Sequence, residues 1–123
     1  MIYEVFDDRA VAHFSSEAVI ESDDRTHPGL VIGYGKDRKI VQLTFIDPKK
    51  RGDSNQVTIT DRYDPEADAL DVELDENAWR ETEEGPLGFL IDYDSDHRIV
   101  AVEFLGASMR FPEAALSRRH HAA

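Results

Sequence analysis

Three aspartates separated by single residues form the pattern in this sequence that is closest to a metal-ligand motif. Asp92, Asp94 and Asp96 are followed by Glu103, eleven residues after Asp92. Calcium loops place acids at positions 1, 3, 5 and 12, so this spacing could supply calcium ligands. The sixth position, however, is His97 where such loops need glycine, and the context is strand–turn–strand rather than helix–loop–helix. The pattern favours an acidic solvated turn, and we predict no metal.

A second group of carboxylates opens the second half of the chain. Paired carboxylates can act as general acid and general base where a cleft separates their pKa values. Asp71 and Glu73, however, lie on the polar face of the alternating segment ALDVEL at 69–74, which is typical of solvent exposure. We therefore favour a surface for a basic partner. The predicted acidic surface comprises Asp64, Glu66, Asp68, Asp71, Glu73, Asp92, Asp94 and Asp96.

The remaining polar and aromatic residues carry no catalytic signature. The chain has no cysteine and no glycine-x-serine-x-glycine elbow, and its histidines lack metal-ligand spacing. We predict no catalytic residue and no cofactor. His13 is expected to face inward as a core residue. As an alternative, a pocket at the seam between the two halves would be lined by His13, Tyr34, Trp79 and Tyr93.

Charge divides the chain unevenly. Of the net charge of −12, residues 1–56 contribute −2 and residues 57–123 contribute −10. An acidic surface disfavours nucleic acid, which is bound through clustered lysine and arginine, and steers basic partners toward it. The opening MIYEVFDD has no signal-peptide pattern, and no apolar run approaches a membrane span. These features predict a cytoplasmic protein with no membrane segment.

An internal repeat gives the clearest information on architecture. Residues 29–47 and 88–106 align at a constant offset of 59, and seven of nineteen positions are identical. Each copy is so small that the apolar surface it could bury by itself would give only marginal stability. The two copies are therefore expected to share one core. We predict a single domain made of a degenerate repeat at 1–47, a linker at 48–56, a second repeat at 57–108, and a helix and tail at 109–123.

The hydrophobic pattern predicts an all-β fold. Alternating apolar residues favour antiparallel meanders that pack with pseudo-twofold symmetry as a sandwich or flattened barrel. Gly35 is expected to take positive φ in the first hairpin turn, with Asp96 or His97 in the second. A helix is predicted at 112–119, with Phe111 or Leu116 docking on the sheet. Strands are predicted at 2–6, 10–14, 18–22, 30–34, 39–46, 57–63, 68–74, 77–82, 89–93 and 98–105.

The second half carries a recognisable family pattern. It combines a tyrosine–aspartate–proline opening at Tyr63, an Asp68-led strand, a Gly88-led hairpin and an ending at Ala107 and Ser108. In these features residues 57–108 resemble the small bacterial family called domain of unknown function 2283, and residues 1–47 look like a degenerate copy. The resemblance implies a compact β fold without established activity, and an antitoxin-like role beside a basic toxin.

These observations favour a non-enzymatic acidic binding module that engages a basic protein. The alternative is a small-molecule binder or small enzyme with its site at the seam. The repeat predicts either a monomer that contains an internal pseudo-dimer or a homodimer.

Overall fold

The fold was analysed in a computed structural model. It describes residues 2–6, 8–47, 59–74, 80–85 and 88–117. The predicted linker at 48–56, the end of the predicted helix at 118–119 and Trp79 lie outside the described residues. Among the described residues no helix is long and apolar enough to cross a membrane.

In the part of the chain that the structure describes, ten strands form two antiparallel five-stranded sheets with the same strand order. The first sheet has the order β1-β2-β5-β4-β3 and the second β6-β7-β10-β9-β8. Within the described chain no strand pair joins the sheets, so they form no closed barrel. The first sheet contains β1 (Ile2–Val5), β2 (Arg9–His13), β3 (Glu21–His27), β4 (Leu30–Tyr34) and β5 (Ile40–Ile46). The second contains β6 (Thr60–Asp64), β7 (Ala69–Glu73), β8 (Glu81–Glu84), β9 (Phe89–Tyr93) and β10 (Ile99–Leu105).

The all-β prediction is confirmed, and most strand bounds agree within two residues. The largest differences are at β3 and β8, predicted at 18–22 and 77–82, which the structure places three to four residues later at their starts. Both are edge strands with polar, exposed residues, so they lack the alternation that marks a strand in sequence. The hydrophobic pattern is informative only where one face of the strand is buried.

One cluster of buried side chains contains residues from both sheets, as in a β-sandwich. Alternate residues of the central strands point into it, because successive side chains of a strand face opposite sides of the sheet. At the sheet edge, the Tyr3 hydroxyl donates a hydrogen bond of 2.5 Å to Asp61 Oδ1 in the other sheet. The predicted core residues in this cluster include Leu30, Ile32, Leu43, Phe45, Leu70, Val72, Leu74, Phe89, Ile91, Val102 and Phe104.

The repeat extends to matching irregularities in the two β4–β5 and β9–β10 hairpins. Each hairpin contains a β-bulge whose extra residue is Val41 in the first sheet and Val100 in the second. The positive φ in each turn is taken by Arg38 (59°) and His97 (61°). The prediction for His97 is therefore correct and that for Gly35 is wrong. A Cβ at Gly35 would lie 2.9 Å from Glu17 Oε2 and 3.1 Å from Val41 Cγ1, so a larger residue there would require these side chains to shift.

Among the described residues, two short helices follow the second sheet, where the sequence predicted one. They are α1 (Ala107–Arg110) and α2 (Glu113–Ser117). Phe111, between them, is fully buried, and its ring lies 4.9 Å from that of Phe14, directly after β2 of the first sheet, and 5.1 Å from that of Phe104 in β10 of the second. The predicted docking of Phe111 and Leu116 is confirmed, since both are buried in the shared cluster. The α1 helix was missed because a single turn has no periodicity to detect.

Candidate functional site

The Asp94 carboxylate is engaged by the backbone of its own hairpin turn. Its side chain turns back on its own hairpin, where Oδ1 accepts hydrogen bonds from the backbone N–H groups of Asp96 (2.9 Å) and Arg98 (3.0 Å). Only 6% of Asp94 is exposed. The first hairpin has Gly35 at this position and keeps the same backbone hydrogen bonds around it. Asp94 therefore serves the turn, and it does not belong to an accessible acidic surface.

The calcium-like spacing is not assembled into a coordination sphere. Asp92 and Glu103 lie on the outer face of the second sheet, while the Asp94 carboxylate is engaged by its turn and Asp96 is exposed at the hairpin tip. Among the residues that the structure describes, no group of three or more histidine, cysteine or acidic side chains could hold a metal ion. The strand–turn–strand context separates the acids that a helix-flanked loop would bring together.

Four carboxylates instead share the outer face of the second sheet. On β7 and β10, Asp71 lies directly opposite Glu103 in the strand register. Side chains directly opposite each other have Cβ atoms about 4.5–5.5 Å apart, and like charges there are destabilising. Glu73 lies on the same face as Asp71, two residues along the strand. Asp92 on β9 lies on this face as well. We call the set of Asp71, Glu73, Asp92 and Glu103 the acidic sheet face.

Two arginines border the acidic sheet face. Arg62 lies opposite Asp71 in the register of β6 and β7. Arg80, just before β8, places Nη1 3.4 Å from Glu73 Oε1 and 3.2 Å from Asp92 Oδ2. Asp92 also accepts a hydrogen bond of 2.6 Å from the Thr82 hydroxyl. The face thus already contains one guanidinium between two of its four carboxylates.

An open depression lies at the β6 side of this face. Its volume is about 320 Å³, and it is lined by Thr60, Asp61, Arg62, Asp71 and Glu73. All five lining residues are polar, so the depression suits a charged group rather than an apolar ligand.

The arrangement of these carboxylates changes the pKa of Asp71. Partial burial, followed by the nearby charge and hydrogen bonding of Glu73 and by the charges of Glu103 and Asp92, raises the pKa of Asp71 to about 7. Near neutral pH Asp71 is therefore only partly ionised, whereas an aspartate in water would be fully ionised.

The acidity is specific to the second sheet. Matching the two registers places Val11 at the position of Asp71 and Thr44 at that of Glu103. Gly33 similarly takes the position of Asp92. The same outer face in the first repeat is therefore neutral at these positions. This locates part of the charge imbalance between the halves on one sheet surface.

Two of the predicted acidic residues of the β6–β7 turn, Asp64 and Asp68, use their carboxylates within the fold. Asp64 Oδ1 accepts hydrogen bonds from the backbone N–H groups of Glu66 (3.0 Å) and Ala67 (3.4 Å). Asp68 accepts hydrogen bonds from the Tyr63 hydroxyl (2.6 Å), the Ser108 N–H (2.9 Å) and the Ser108 hydroxyl (2.7 Å). The hydrogen bonds from Tyr63 and then Ser108 lower the pKa of Asp68. Of the eight predicted residues, Asp71, Glu73 and Asp92 are brought together on the acidic sheet face.

The alternative seam residues occupy different surroundings. His13 faces outward from β2 and pairs with Glu4 at 2.5 Å, so it is not the inward-facing core residue expected. Tyr34 and Tyr93 pack against the buried cluster, and Tyr93 also stacks on His97 with ring centroids 5.1 Å apart. Trp79 lies outside the described residues. A ligand site at the seam stays a prediction.

The residues that the sequence prediction of the acidic surface missed are Glu103 and Arg80. Glu103 was considered only as a calcium ligand, because its place opposite Asp71 depends on strand order. Arg80 lies seven residues after Glu73 and twelve before Asp92, spacings that signal no contact. Only the alternation around Glu103, which places it on the polar face of its strand, could have indicated its role.

The raised pKa of Asp71 predicts a pH-dependent stability effect. Between about pH 4 and pH 7 folded Asp71 keeps a proton that the unfolded chain has released, so rising pH favours unfolding until Asp71 is ionised in both states. Asp71→Asn removes this penalty. After allowance for solvent screening, we expect a gain of about 1 kcal/mol at pH 8, a few degrees in Tm, that shrinks toward pH 5.

Thermal unfolding of Asp71→Asn and the wild type at pH 5 and pH 8 measures this difference. The control is Asp37→Asn, which removes one charge from an exposed turn of the first sheet. Equal gains for the two variants at pH 8 would show that net charge alone, not the environment of Asp71, determines the stability.

Comparison with known families agrees with the pattern seen in the second half. Residues 62–108 match the family model described as Protein of unknown function (DUF2283). The resemblance of the second repeat to DUF2283 is thus confirmed. No curated protein and no solved structure matches the chain. The relation of residues 1–47 to DUF2283 stays a prediction, although these residues form a sheet with the same strand order.

The residues that match DUF2283 include a group of hydrogen bonds centred on the Asp68 carboxylate. Tyr63, Asp68 and Ser108 all lie within the matched residues and are joined through the Asp68 carboxylate. The backbone adds a bond from the Ala107 N–H to the Asp68 carbonyl. This arrangement ties the β6–β7 turn to the start of α1. Tyr63, Asp68 and Ser108 of the motif therefore have a structural role, and the contacts assign them no catalytic one.

Proposed function

We propose that the protein is a non-enzymatic binding module, antitoxin-like in character, that engages a basic protein partner through the acidic sheet face. The observation that carries the proposal is the like-charge pair of Asp71 and Glu103 on an outer sheet face. Two like charges placed directly opposite each other on a sheet are destabilising, and a cationic partner would turn their repulsion into attraction. A cytoplasmic location is part of this proposal and rests on the sequence alone.

The electrostatics of Asp71 support a cationic partner. Burial and three neighbouring carboxylates raise its pKa to about 7. A lysine or arginine side chain placed in the adjacent depression would favour the ionised form and lower that pKa. Binding would then release a proton, so the affinity for a basic partner is expected to rise between pH 6 and pH 8.

The experiment compares two double variants of equal net charge for binding to a lysine- and arginine-rich peptide by calorimetry. Asp71→Asn with Glu103→Gln removes two charges from the acidic sheet face. We expect it to weaken binding by about two- to thirtyfold, since an exposed ion pair contributes about 0.2–1 kcal/mol.

The matched control is Asp37→Asn with Glu66→Gln, which removes two charges from exposed turns. It should bind nearly as tightly as the wild type. If both double variants lose affinity equally, the peptide responds to overall charge and the acidic sheet face is not the binding surface. If the wild type does not bind the peptide even at low salt, the proposed function is wrong.

A further inference from the structure

The hydrogen bond between Tyr3 and Asp61 joins two residues that occupy the same position in the two sheets. Tyr3 lies opposite Ala12 on β2, and Asp61 lies opposite Val72 on β7. Ala12 and Val72 take equivalent places in the registers of β2 with β5 and of β7 with β10. Tyr3 and Asp61 are therefore counterparts, and the Tyr3 hydroxyl lies 2.5 Å from Asp61 Oδ1.

Two counterparts that contact each other mark a twofold axis. In a twofold-symmetric pair, residue i contacts residue j while j contacts i, and a residue meets its own counterpart only at the axis. The hairpin turns show the reciprocal contacts. Lys39 donates a hydrogen bond of 2.9 Å to the Met109 carbonyl beyond β10, and its counterpart Arg98 places Nε 3.5 Å from Asp47 Oδ2 beyond β5. A pseudo-twofold axis therefore relates the two sheets and passes beside the hydrogen bond at the sheet edge.

We infer that Tyr3 and Asp61 select the partner of each half of the chain, favouring the unlike half of the same chain over the like half of a second copy. Exchange of equivalent elements between copies is a low-cost route to dimers, and a repeated fold offers each half two possible partners. This inference concerns the inner faces of the sheets and does not depend on the proposed function.

The chemistry at the axis differs between the possible pairings. Like second halves would bring two Asp61 carboxylates together in a part-buried place, where one carboxylate must take up a proton or two like charges remain in contact. Like first halves would bring two Tyr3 hydroxyls together without a charged acceptor. Only the unlike pairing places a hydroxyl donor against a carboxylate. Specificity here comes from the penalty on the wrong pairing as well as from the bond in the right one.

The first test interchanges the two side chains in the full chain and measures unfolding in urea. Tyr3→Asp alone places two carboxylates at the axis. We expect it to raise the equilibrium constant for unfolding about 10- to 100-fold, the value of a hydrogen bond to a charged acceptor. Adding Asp61→Tyr restores the pair in the reverse direction, so the double variant should recover most of this loss. If Tyr3→Asp is unfolded, folding of the double variant is the recovery.

The matched control interchanges another tyrosine–aspartate hydrogen bond of the chain. The Tyr63 hydroxyl lies 2.6 Å from Asp68 Oδ1, but both residues belong to the second half and are not counterparts. Tyr63→Asp with Asp68→Tyr should therefore recover none of the stability that Tyr63→Asp loses. If the interchange at Tyr3 and Asp61 recovers no more than this control, the two positions are not equivalent and the inference is overturned.

The second test measures the oligomeric state by sedimentation after refolding at a series of protein concentrations. Asp61→Asn keeps the shape of the side chain and an oxygen that accepts from the Tyr3 hydroxyl, but it removes the charge that opposes pairing of like second halves. We expect dimers of this variant at about tenfold lower concentration than for the wild type, the factor given by one pKa unit of coupling between two carboxylates. The control Asp37→Asn removes the same charge from an exposed turn and should behave like the wild type.

The comparison of Asp61→Asn with Asp37→Asn decides whether Asp61 selects the partner. If Asp61→Asn dimerises no more readily than Asp37→Asn, Asp61 does not oppose the pairing of like halves and the inference is overturned. Neither measurement uses a basic peptide, so the inference and the proposed function can fail independently of each other.

Discussion

Replacement of Phe111 by alanine is expected to lower the free energy of unfolding by about 3–5 kcal/mol, the usual cost of truncating a buried phenylalanine. Phe111 is fully buried and contacts two phenylalanines, with ring centroids 4.9 Å from Phe14, directly after β2, and 5.1 Å from Phe104 in β10. Such aromatic pairs contribute about 0.5–1.5 kcal/mol beyond the area they bury. The loss would therefore weaken the packing of both sheets, not only that of the C-terminal segment.

Equilibrium unfolding in urea measures the effect. Met109→Ala provides the control, since Met109 lies two residues away in the same segment and is 80% exposed. This change should alter the free energy of unfolding by less than about 0.5 kcal/mol. A loss at Phe111 as small as that at Met109 would mean that the C-terminal segment does not pack between the sheets as described.

Replacement of Asp68 by alanine is expected to cost about 2–3 kcal/mol, because the change removes several hydrogen bonds to a charged acceptor at once. The carboxylate accepts bonds from the Tyr63 hydroxyl and from the N–H and hydroxyl of Ser108. Asp68 also has a φ of 51°, a left-handed conformation that aspartate and asparagine tolerate better than alanine does. The cost therefore combines lost bonds with backbone strain.

A graded series separates these contributions. Asp68→Asn keeps the backbone preference and one acceptor oxygen, and Tyr63→Phe removes a single hydrogen bond. We expect the loss of stability to decrease from Asp68→Ala to Asp68→Asn to Tyr63→Phe. Equal losses for all three variants would contradict a role for the Asp68 backbone conformation and for Ser108.

Acid should remove the contribution of Asp68 in the wild type. Its folded-state pKa is lowered from an ordinary value near 3.8 by the bonds from Tyr63 and Ser108. A lowered folded-state pKa contributes stability above the unfolded-state pKa, and this stability is lost as the pH falls through the folded-state value. The difference in stability between Asp68→Ala and wild type should therefore be largest at neutral pH and decrease in acid.

The candidate site could be predicted in part. Alternation in the sequence correctly placed Asp71 and Glu73 on a polar sheet face, because side-chain direction in a strand has a period of two. It could not separate surface carboxylates from those that hold turns. Asp94 and Asp68 look like their acidic neighbours in sequence, yet each accepts backbone N–H bonds that exist only once the chain has folded around it.

The sequence by itself determined the repeat, the ten strands in their order along the chain and the residues of the central strands that form the core. These follow from local periodicity and from the 59-residue offset. The tertiary structure decided which strands are neighbours. By placing β10 between β7 and β9, it sets Glu103 opposite Asp71, and the approach of residue 80 brings a guanidinium to Glu73 and Asp92. Pairing between strands that are distant in sequence depends on how the whole sheet assembles, and local periodicity gives no information about that pairing.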